Sequence, residues 1–372
     1  MDQSLSFIGK NIRFYRRSRN WTLKQLASKI GIQEGPLGRI ERGQNLPSAT
    51  VIFQLSQVLN IPTDAIFASR ISEAQAVVET DSLFMTTGSE SLPAPLIDAC
   101  QEIMTAFHCL EDVCQVQKYA KLPLFIPFEP NYSGMEQLSE MVRNYLGISD
   151  AIVFDYFELF ENFGLRILVF PFMKQARDIG AVSFYEPDYH NAFFFLNALK
   201  NPEKQLFSLA LELGKILIFN QIKNCRDKYL FVPVAKEQER PINELRAAKR
   251  FAATFLTPAT AVHATISQLG IIPENWTWDL LLRIKHRFGV SAESFLYRLK
   301  ELNLISDKSA EEIQSRIQTF YKNTRYKEPG SSKRILNSNG RFFDLLLTAS
   351  SIESEETEEI HEVVNRYKIM CG

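Results

Sequence analysis

Apolar positions recur at helical spacing from Ile8 to Phe67 and mark a series of short helices. Ile8, Ile12 and Tyr15 space one face of a first helix that ends near Arg19 and Asn20. Thr22 stands where an N-cap would for LKQLASKI, and Gly31 follows that run where a left-handed residue ends a helix. A further short helix stops at Gly43, and Ser48 caps ATVIFQLSQVLNI, which ends before Pro62. Periodicity is then lost over 71–91, where Ser, Thr and Gly accumulate, and this stretch reads as a linker.

Beyond it Leu96, Cys100, Ile103, Phe107, Leu110 and Cys114 fall at alternating steps of four and three, a short heptad seam. Such a seam fits either pairing with a second subunit or packing on its own domain. Over 136–220 helices and strands mix: MEQLSEMVRNYLG and DYFELFENFG predict helices, while LRILVFPF, GAVSFY and NAFFFLN predict strands. A long apolar helix, KQLFSLALELGKILIFN, follows. Next come INELRAAKRFAATFLTP, ended by Pro258, and the pair WDLLLRIKHRFG and SAESFLYRLKELNLI. Residues 325–340 read as a polar connection, and the tail is helical with an acidic stretch from Glu353 to Glu359.

Composition sharpens this picture in two ways. A hydrophobic share of 45% beside 23% charged residues is that of a chain able to bury a core, and the length suits two or three domains. The overall charge of −1 conceals an uneven distribution. Residues 1–70 carry ten Lys/Arg against four acids, a net +6, which leaves −7 for the rest. A basic head on an acidic body suits a phosphate-binding module joined to a domain that does not bind nucleic acid. The five cysteines form no CxxC pair and read as free thiols in a reducing cytosol. The N-terminus has no apolar signal region, and ILVFPF and AFFFL are too short to span a bilayer, so the expectation is a soluble cytoplasmic protein with no membrane partner.

A helix-turn-helix needs a small residue where its two helices touch, a glycine at the turn and apolar residues facing inward. Ala27, Gly31, and Leu26, Ile30, Ile32, Leu37 and Ile40 supply these in turn. The segment TLKQLASKIGIQEGPLGRIERGQNLPS resembles the XRE family of phage-repressor-type regulators. The resemblance implies that Arg16 of the first helix pairs with Glu41 in a structural role, and that Gln33, Glu34, Gly35, Gly38 and Arg39 face the bases. Glutamine matches adenine and arginine matches guanine in the major groove, which makes Gln33 and Arg39 the readers. Arg42, Gln44 and Asn45 stand where the family contacts phosphate, and the amides at the helix capped by Thr22 can hold another. Gly35, Pro36 and Gly38 leave this recognition helix poor in side chains, which shifts weight toward DNA shape.

A zinc peptidase of the HExxH type places two histidines one turn apart on a helix with a glutamate between them as general base. The helix LFSLALELGKILIF resembles that of the ImmA/IrrE family, with Leu211 and Lys215 at the two histidine positions and Glu212 at the base position. The likeness runs over about residues 136–305, from MEQLSEMVRNYLGI to WDLLLRIKHRFGVSAESFLYRLKELNLI. The family's third ligand would fall at Leu245 or Ala247, with Glu244 one position off, and the nearby histidines His190 and His263 are displaced. Three protein ligands and a water make a working zinc site, and leucine offers no lone pair, so no metal and no cofactor are expected. Glu212 and Lys215, one turn apart, would instead form an ion pair. No G-x-S-x-G, no phosphate-binding Gly-Lys loop and no local Cys/His nucleophile motif occurs.

These readings give a multidomain chain. An all-α, lambda-repressor-like helix-turn-helix domain occupies 1–70, and a linker with a candidate dimerisation helix (96–116) occupies 71–130. A degenerate α+β zincin-like domain follows over 131–305, with a helical C-terminal extension over 306–372. The expected function is that of a regulator bound to double-stranded DNA as a homodimer, since one small head contacts half of a typical operator. Its peptidase-like body would sense a peptide, protein or small-molecule effector without catalysis. Two alternatives stand beside this reading: an antitoxin-type autoregulator whose body binds a partner toxin, and a residual metallopeptidase.

Overall fold

The computed structural model describes residues 3–17, 21–59, 63–67, 84–86, 92–120, 122, 128–129, 131–224, 243–330, 338–351 and 355–369. They fall into two units, Met1–Ser82 and Leu83–Gly372. The expected end of the first helix at Arg19 and Asn20, most of the 71–91 linker and the middle of the 325–340 connection lie outside the described residues.

The described residues of the head form five helices: α1 (Gln3–Arg17), α2 (Leu23–Lys29), α3 (Glu34–Glu41), α4 (Ala49–Leu59) and α5 (Thr63–Phe67). The spacing of Ile8, Ile12 and Tyr15 does what it predicts, burying one face of α1 against Leu26, Leu37, Ile40, Leu55 and Ile66. Glycine at position 9 lets α1 approach the end of α3, since a Cβ there would lie 2.4 Å from the Ile40 carbonyl oxygen. Thr22 caps α2 through a capping box, its hydroxyl accepting from the Gln25 amide while the Gln25 side chain accepts from the Thr22 amide. Helices α2 and α3 both end in Schellman motifs. Gly31 and Gly43 take positive φ, and the amides of Ile32 and Gln44 reach back to the Ala27 and Arg39 carbonyls.

The body is built on a four-stranded sheet in the order β1-β3-β4-β2. Its strands are β1 (Phe84–Thr86), β2 (Arg166–Phe170), β3 (Ala181–Glu186) and β4 (Asn191–Asn197). Neighbours β1/β3 and β3/β4 are antiparallel, whereas β2/β4 are parallel, with Leu168 opposite Phe195. Strands β2, β3 and β4 were legible as apolar runs, as expected of strands covered on both faces. The short strand β1 falls within the stretch that reads as linker.

Alternation along the strands divides the body into two cores. Ile167, Val169, Ala181, Ala192, Phe194 and Leu196 face the long helix α9 (Pro202–Asn224). The same core takes in α7 (Tyr132–Tyr145), α8 (Tyr156–Asn162), α10 (Glu244–Leu256), α11 (Ala259–Gln268), α12 (Trp278–Phe288), α13 (Ala292–Glu301) and α14 (Asp307–Thr324). Leu168, Phe170, Val182, Phe193 and Phe195 face the other way, toward α6 (Ala94–Val113), α15 (Gly340–Ser350) and α16 (Glu355–Tyr367).

Of the two uses open to the seam within residues 96–116, the body shows packing on its own domain. Leu96, Cys100, Ile103, Phe107 and Leu110 are each at most 1% exposed, buried against the sheet and α15–α16 of their own chain. The seam is therefore used internally, because the apolar face of the sheet needs a cover and α6 supplies it. The helices within residues 306–372, expected as a helical C-terminal extension, complete these two cores.

Edge strand β2 ends its hydrogen bonding on a side chain. The Asn339 amide donates to the Val169 carbonyl at 3.0 Å and its oxygen accepts from the Val169 amide at 2.6 Å, as a neighbouring strand would. Asn339 itself adopts φ 61°, a left-handed conformation that asparagine tolerates better than most residues.

Candidate nucleic-acid interface and peptidase-like pocket

Helix α3 presents two different sides. Leu37, Gly38, Ile40 and Glu41 are buried, whereas Gln33, Glu34, Gly35, Arg39 and Arg42 are exposed. Position 38 therefore departs from expectation: it lies inside, where a Cβ would meet Leu23 at 3.2 Å, so glycine there serves helix packing and not a base contact. A Cβ on Gly35 would meet no atom within 4 Å.

The side that faces inward is pinned by charge. Arg16 donates from Nε and Nη2 to the two carboxylate oxygens of Glu41 at 2.7 and 2.8 Å, and from Nη1 to the Trp21 carbonyl at 2.7 Å. This fork ties α1 to the end of α3 and neutralises the one acid that α3 buries. Exposed Arg42 leans on the Gln44 side chain at 3.4 Å, and Asn45 is exposed in the turn beyond. Thr22 is exposed too, but its backbone amide is already taken by Gln25. Gln25 was not singled out in the sequence, although the T-x-x-Q spacing is the capping-box signal.

In the body, Glu212 lies on the α9 face that meets β3 and is fully buried. Its carboxylate accepts from Lys215 Nζ at 2.7 Å and from the Ser183 hydroxyl at 2.7 Å. Leu211 is buried in the same core. Burial pushes the Glu212 carboxyl up and the Lys215 ammonium down, and their mutual attraction opposes both shifts. Ser183 was missed in the sequence. The alternation that puts Ala181 and Tyr185 on the α9 side also puts Ser183 there. Gly214 lets α9 and α10 meet closely, since a Cβ would lie 2.7 Å from the Phe251 ring.

These residues do not fit a zinc ion. Leu211 offers no donor, Lys215 is committed to Glu212, and Glu244, His190 and His263 are all exposed. No group of three His, Cys, Asp or Glu side chains able to hold a metal occurs among the described residues. Nor is any described helix long and apolar enough to cross a membrane.

The other sheet face holds a charged cluster with no counterpart in the sequence reading. Arg166, fully buried on β2, donates to both oxygens of Glu111 on α6 at 2.9 and 2.8 Å and to Glu186 on β3 at 2.7 Å. His108 sits between the same two carboxylates, 2.8 Å from Glu186 and 3.3 Å from Glu111.

Fold and site together define a helix-turn-helix head joined to a peptidase-like α+β body, and comparison with known proteins agrees. Residues 12–66 match the helix-turn-helix family, and residues 160–300 match the family described as IrrE N-terminal-like domain. The HTH-type transcriptional regulator YazB of Bacillus subtilis (strain 168) is 43% identical over 56 residues, spanning 15% of this chain and 81% of that protein. RghRB of the same organism is 32% identical over 103 residues, 24% of this chain and 74% of its own. SutR of Escherichia coli (strain K12) is 29% identical over 76 residues, 20% of this chain and 40% of its own. The chain belongs to the helix-turn-helix family of transcriptional regulators, and its body carries an IrrE-like domain. Among solved structures, Bacillus thuringiensis PlcR in complex with the peptide PapR7 and DNA aligns over 98% of both chains at 13% identity. Its TM-score of 0.16 is too low for any common architecture to be read from it.

Proposed function

We propose that this protein is a sequence-specific, double-stranded-DNA-binding transcriptional regulator, acting as a homodimer, whose peptidase-like body senses an effector without catalysis. The observation that carries the DNA-binding reading is the division of α3 into a buried side locked by Arg16–Glu41 and an exposed side bearing Gln33 and Arg39. Gln33 and Arg39 read bases, with Glu34 beside them able to accept from a cytosine amine. Arg42, buttressed by Gln44, contacts phosphate together with Asn45 and the start of α2 at Thr22.

In the body, the pairing of Glu212 with Lys215 and Ser183 supports a non-catalytic role. A carboxylate held by an ammonium and a hydroxyl in a closed core is not placed to activate a water on a metal.

Genome-wide DNA binding in cells, repeated with Gln33→Ala and Arg39→Ala, tests the first part. Each variant is expected to lose about 1–3 kcal/mol at its preferred sites and to relax specificity there, and unchanged profiles in both would overturn the assignment. Metal analysis of the purified full chain tests the second. Stoichiometric zinc, together with a proteolytic activity lost in Glu212→Gln, would reinstate an enzyme.

A further inference from the structure

A cavity of about 610 Å³ opens in the body beside the first turns of α9, and neither Glu212 nor Lys215 lines it. Its volume falls within the range of small-molecule sites. Lys200 and Lys204 border it on one side and Lys322, from the end of α14, on the other. Phe207 and Tyr326 supply apolar surface.

The charges in this cleft are not balanced equally. Glu203 and Glu328, which also line it, turn to the buried Lys285 ammonium at 3.4 and 2.9 Å. Glu328 further accepts from the Ala292 amide at 2.8 Å and the Tyr321 hydroxyl at 3.0 Å. These acids are therefore engaged within the fold. The three rim lysines have no carboxylate within 4.0 Å among the described residues, and face two further lining acids, Asp178 and Glu293. Burial holds the Lys200 ammonium below the usual lysine range, and the neighbouring charges of Lys204 and Arg177 add to this against Asp178. Lys200 thus has two cations, Lys204 and Arg177, and one acid, Asp178, among its charged neighbours, a balance that an anion would even out.

A second feature at the rim is backbone strain. Arg325 and Tyr326 adopt successive positive φ values of 54° and 63°, which side-chain-bearing residues rarely do. The Tyr326 amide is held by the Tyr321 carbonyl at 2.8 Å, and the two rings lie 6.1 Å apart. The result is an aromatic ring 73% exposed at the mouth of a lysine-lined cleft. This left-handed turn ends α14, with Arg325 as its C-cap.

We propose that this cleft binds a small organic anion bearing an apolar or aromatic group, with its carboxylate, phosphate or sulfonate met by Lys200, Lys204 and Lys322 and its apolar part against Phe207 and Tyr326. The assignment rests on the reading of the body as a sensor and gives that sensor a location separate from the peptidase-like pocket.

The test uses the full chain and the fluorescent anion 8-anilinonaphthalene-1-sulfonate, with uncharged N-phenyl-1-naphthylamine as its control. One saturable anion site per chain is expected. Lys204→Ala combined with Lys322→Ala, both exposed positions, should weaken it about ten-fold or more, because a bond to a charged partner is lost at each. Lys204→Arg with Lys322→Arg should retain it. Competition by benzoate against phenyl phosphate then tells a carboxylate ligand from a phosphate. No saturable binding, equal affinity for the uncharged analogue, or unchanged affinity in the alanine variant with unaltered circular dichroism would each overturn the proposal. DNA binding is measured on the same samples without probe, so a cleft that fails while DNA binding persists removes this inference and leaves the regulator reading intact.

Discussion

Lys215 reaches back along one turn of α9 to place its ammonium 2.7 Å from the Glu212 carboxylate, against a core of apolar side chains. A charge pair taken out of water is held together more by the cost of separating it than by net stabilisation. Replacing both residues with leucine is expected to leave the melting temperature equal or higher. Lys215→Leu alone should cost about 3 kcal/mol, because it strands the Glu212 carboxylate. That loss should shrink in acid, where the carboxyl with its raised pKa takes up a proton. Thermal denaturation of the single and double variants at two pH values checks both signs.

The fork between Arg16 and Glu41 makes a parallel prediction in the head. Glu41→Ala leaves the Arg16 guanidinium buried without its carboxylate, at a cost of about 3–5 kcal/mol. For a unit this small that approaches the whole of its stability. Hydrogen exchange of the full chain should show α1–α3 amides losing protection while the β4 amides keep theirs.

His108 should make the body sensitive to alkali. Burial works against its imidazolium, but Glu186 and Glu111 outweigh burial and Arg166, so its pKa lies above the ordinary 6.5. A raised histidine contributes stability that is fully present below that value and is lost as pH rises through the folded pKa. The other charges near this cluster are Lys118, paired with Asp112, and Arg341, 4.0 Å from Glu111. The melting temperature of wild type relative to His108→Gln should fall as pH rises above 6.5, and a constant difference would refute the assignment.

Glu161 adds a separate drift in the same direction. Burial raises its carboxyl to about 8, against the pull of the Arg341 amide and charge, and Asp155 and Asp344 push it further. One oxygen accepts from the Arg341 amide at 3.1 Å and the other has no hydrogen-bond partner among the described residues. Its contribution is present below the usual 4.5 and is lost as pH climbs through about 8. Glu161→Gln should therefore be more stable than wild type at alkaline pH, and calorimetry of the two proteins would show it.

Asn339→Ala tests the closure of the β2 edge. Both polar groups of Val169 lose a partner, which should cost about 1–3 kcal/mol. The Val169 amide should lose its protection against hydrogen exchange before its neighbours do.

How much of this was readable beforehand depended on whether a residue's pattern had one physical solution. Phe193 and Phe195 in an unbroken apolar run admitted little besides a strand covered on both faces, and the structure buries both completely. Ile103 and Phe107 at heptad spacing admitted two solutions, because a helix on a sheet and a helix on a second helix demand the same stripe. Three residues from Phe84 give too few alternations for a strand to stand out among Ser and Thr. Gly38 carries no side chain whose character would announce burial. The cluster around Arg166 joins residues from α6, β2 and β3, so no local motif contains it.

Gly35 lies on the exposed side of α3 with open space where its side chain would be. An alanine substituted there meets no neighbour within 4 Å and raises helix propensity over glycine. The core of the head and its Arg16–Glu41 lock are untouched by such a change. Under the proposed DNA-binding role, position 35 is where side chains can be varied with the fold held constant while the address it answers to is rewritten.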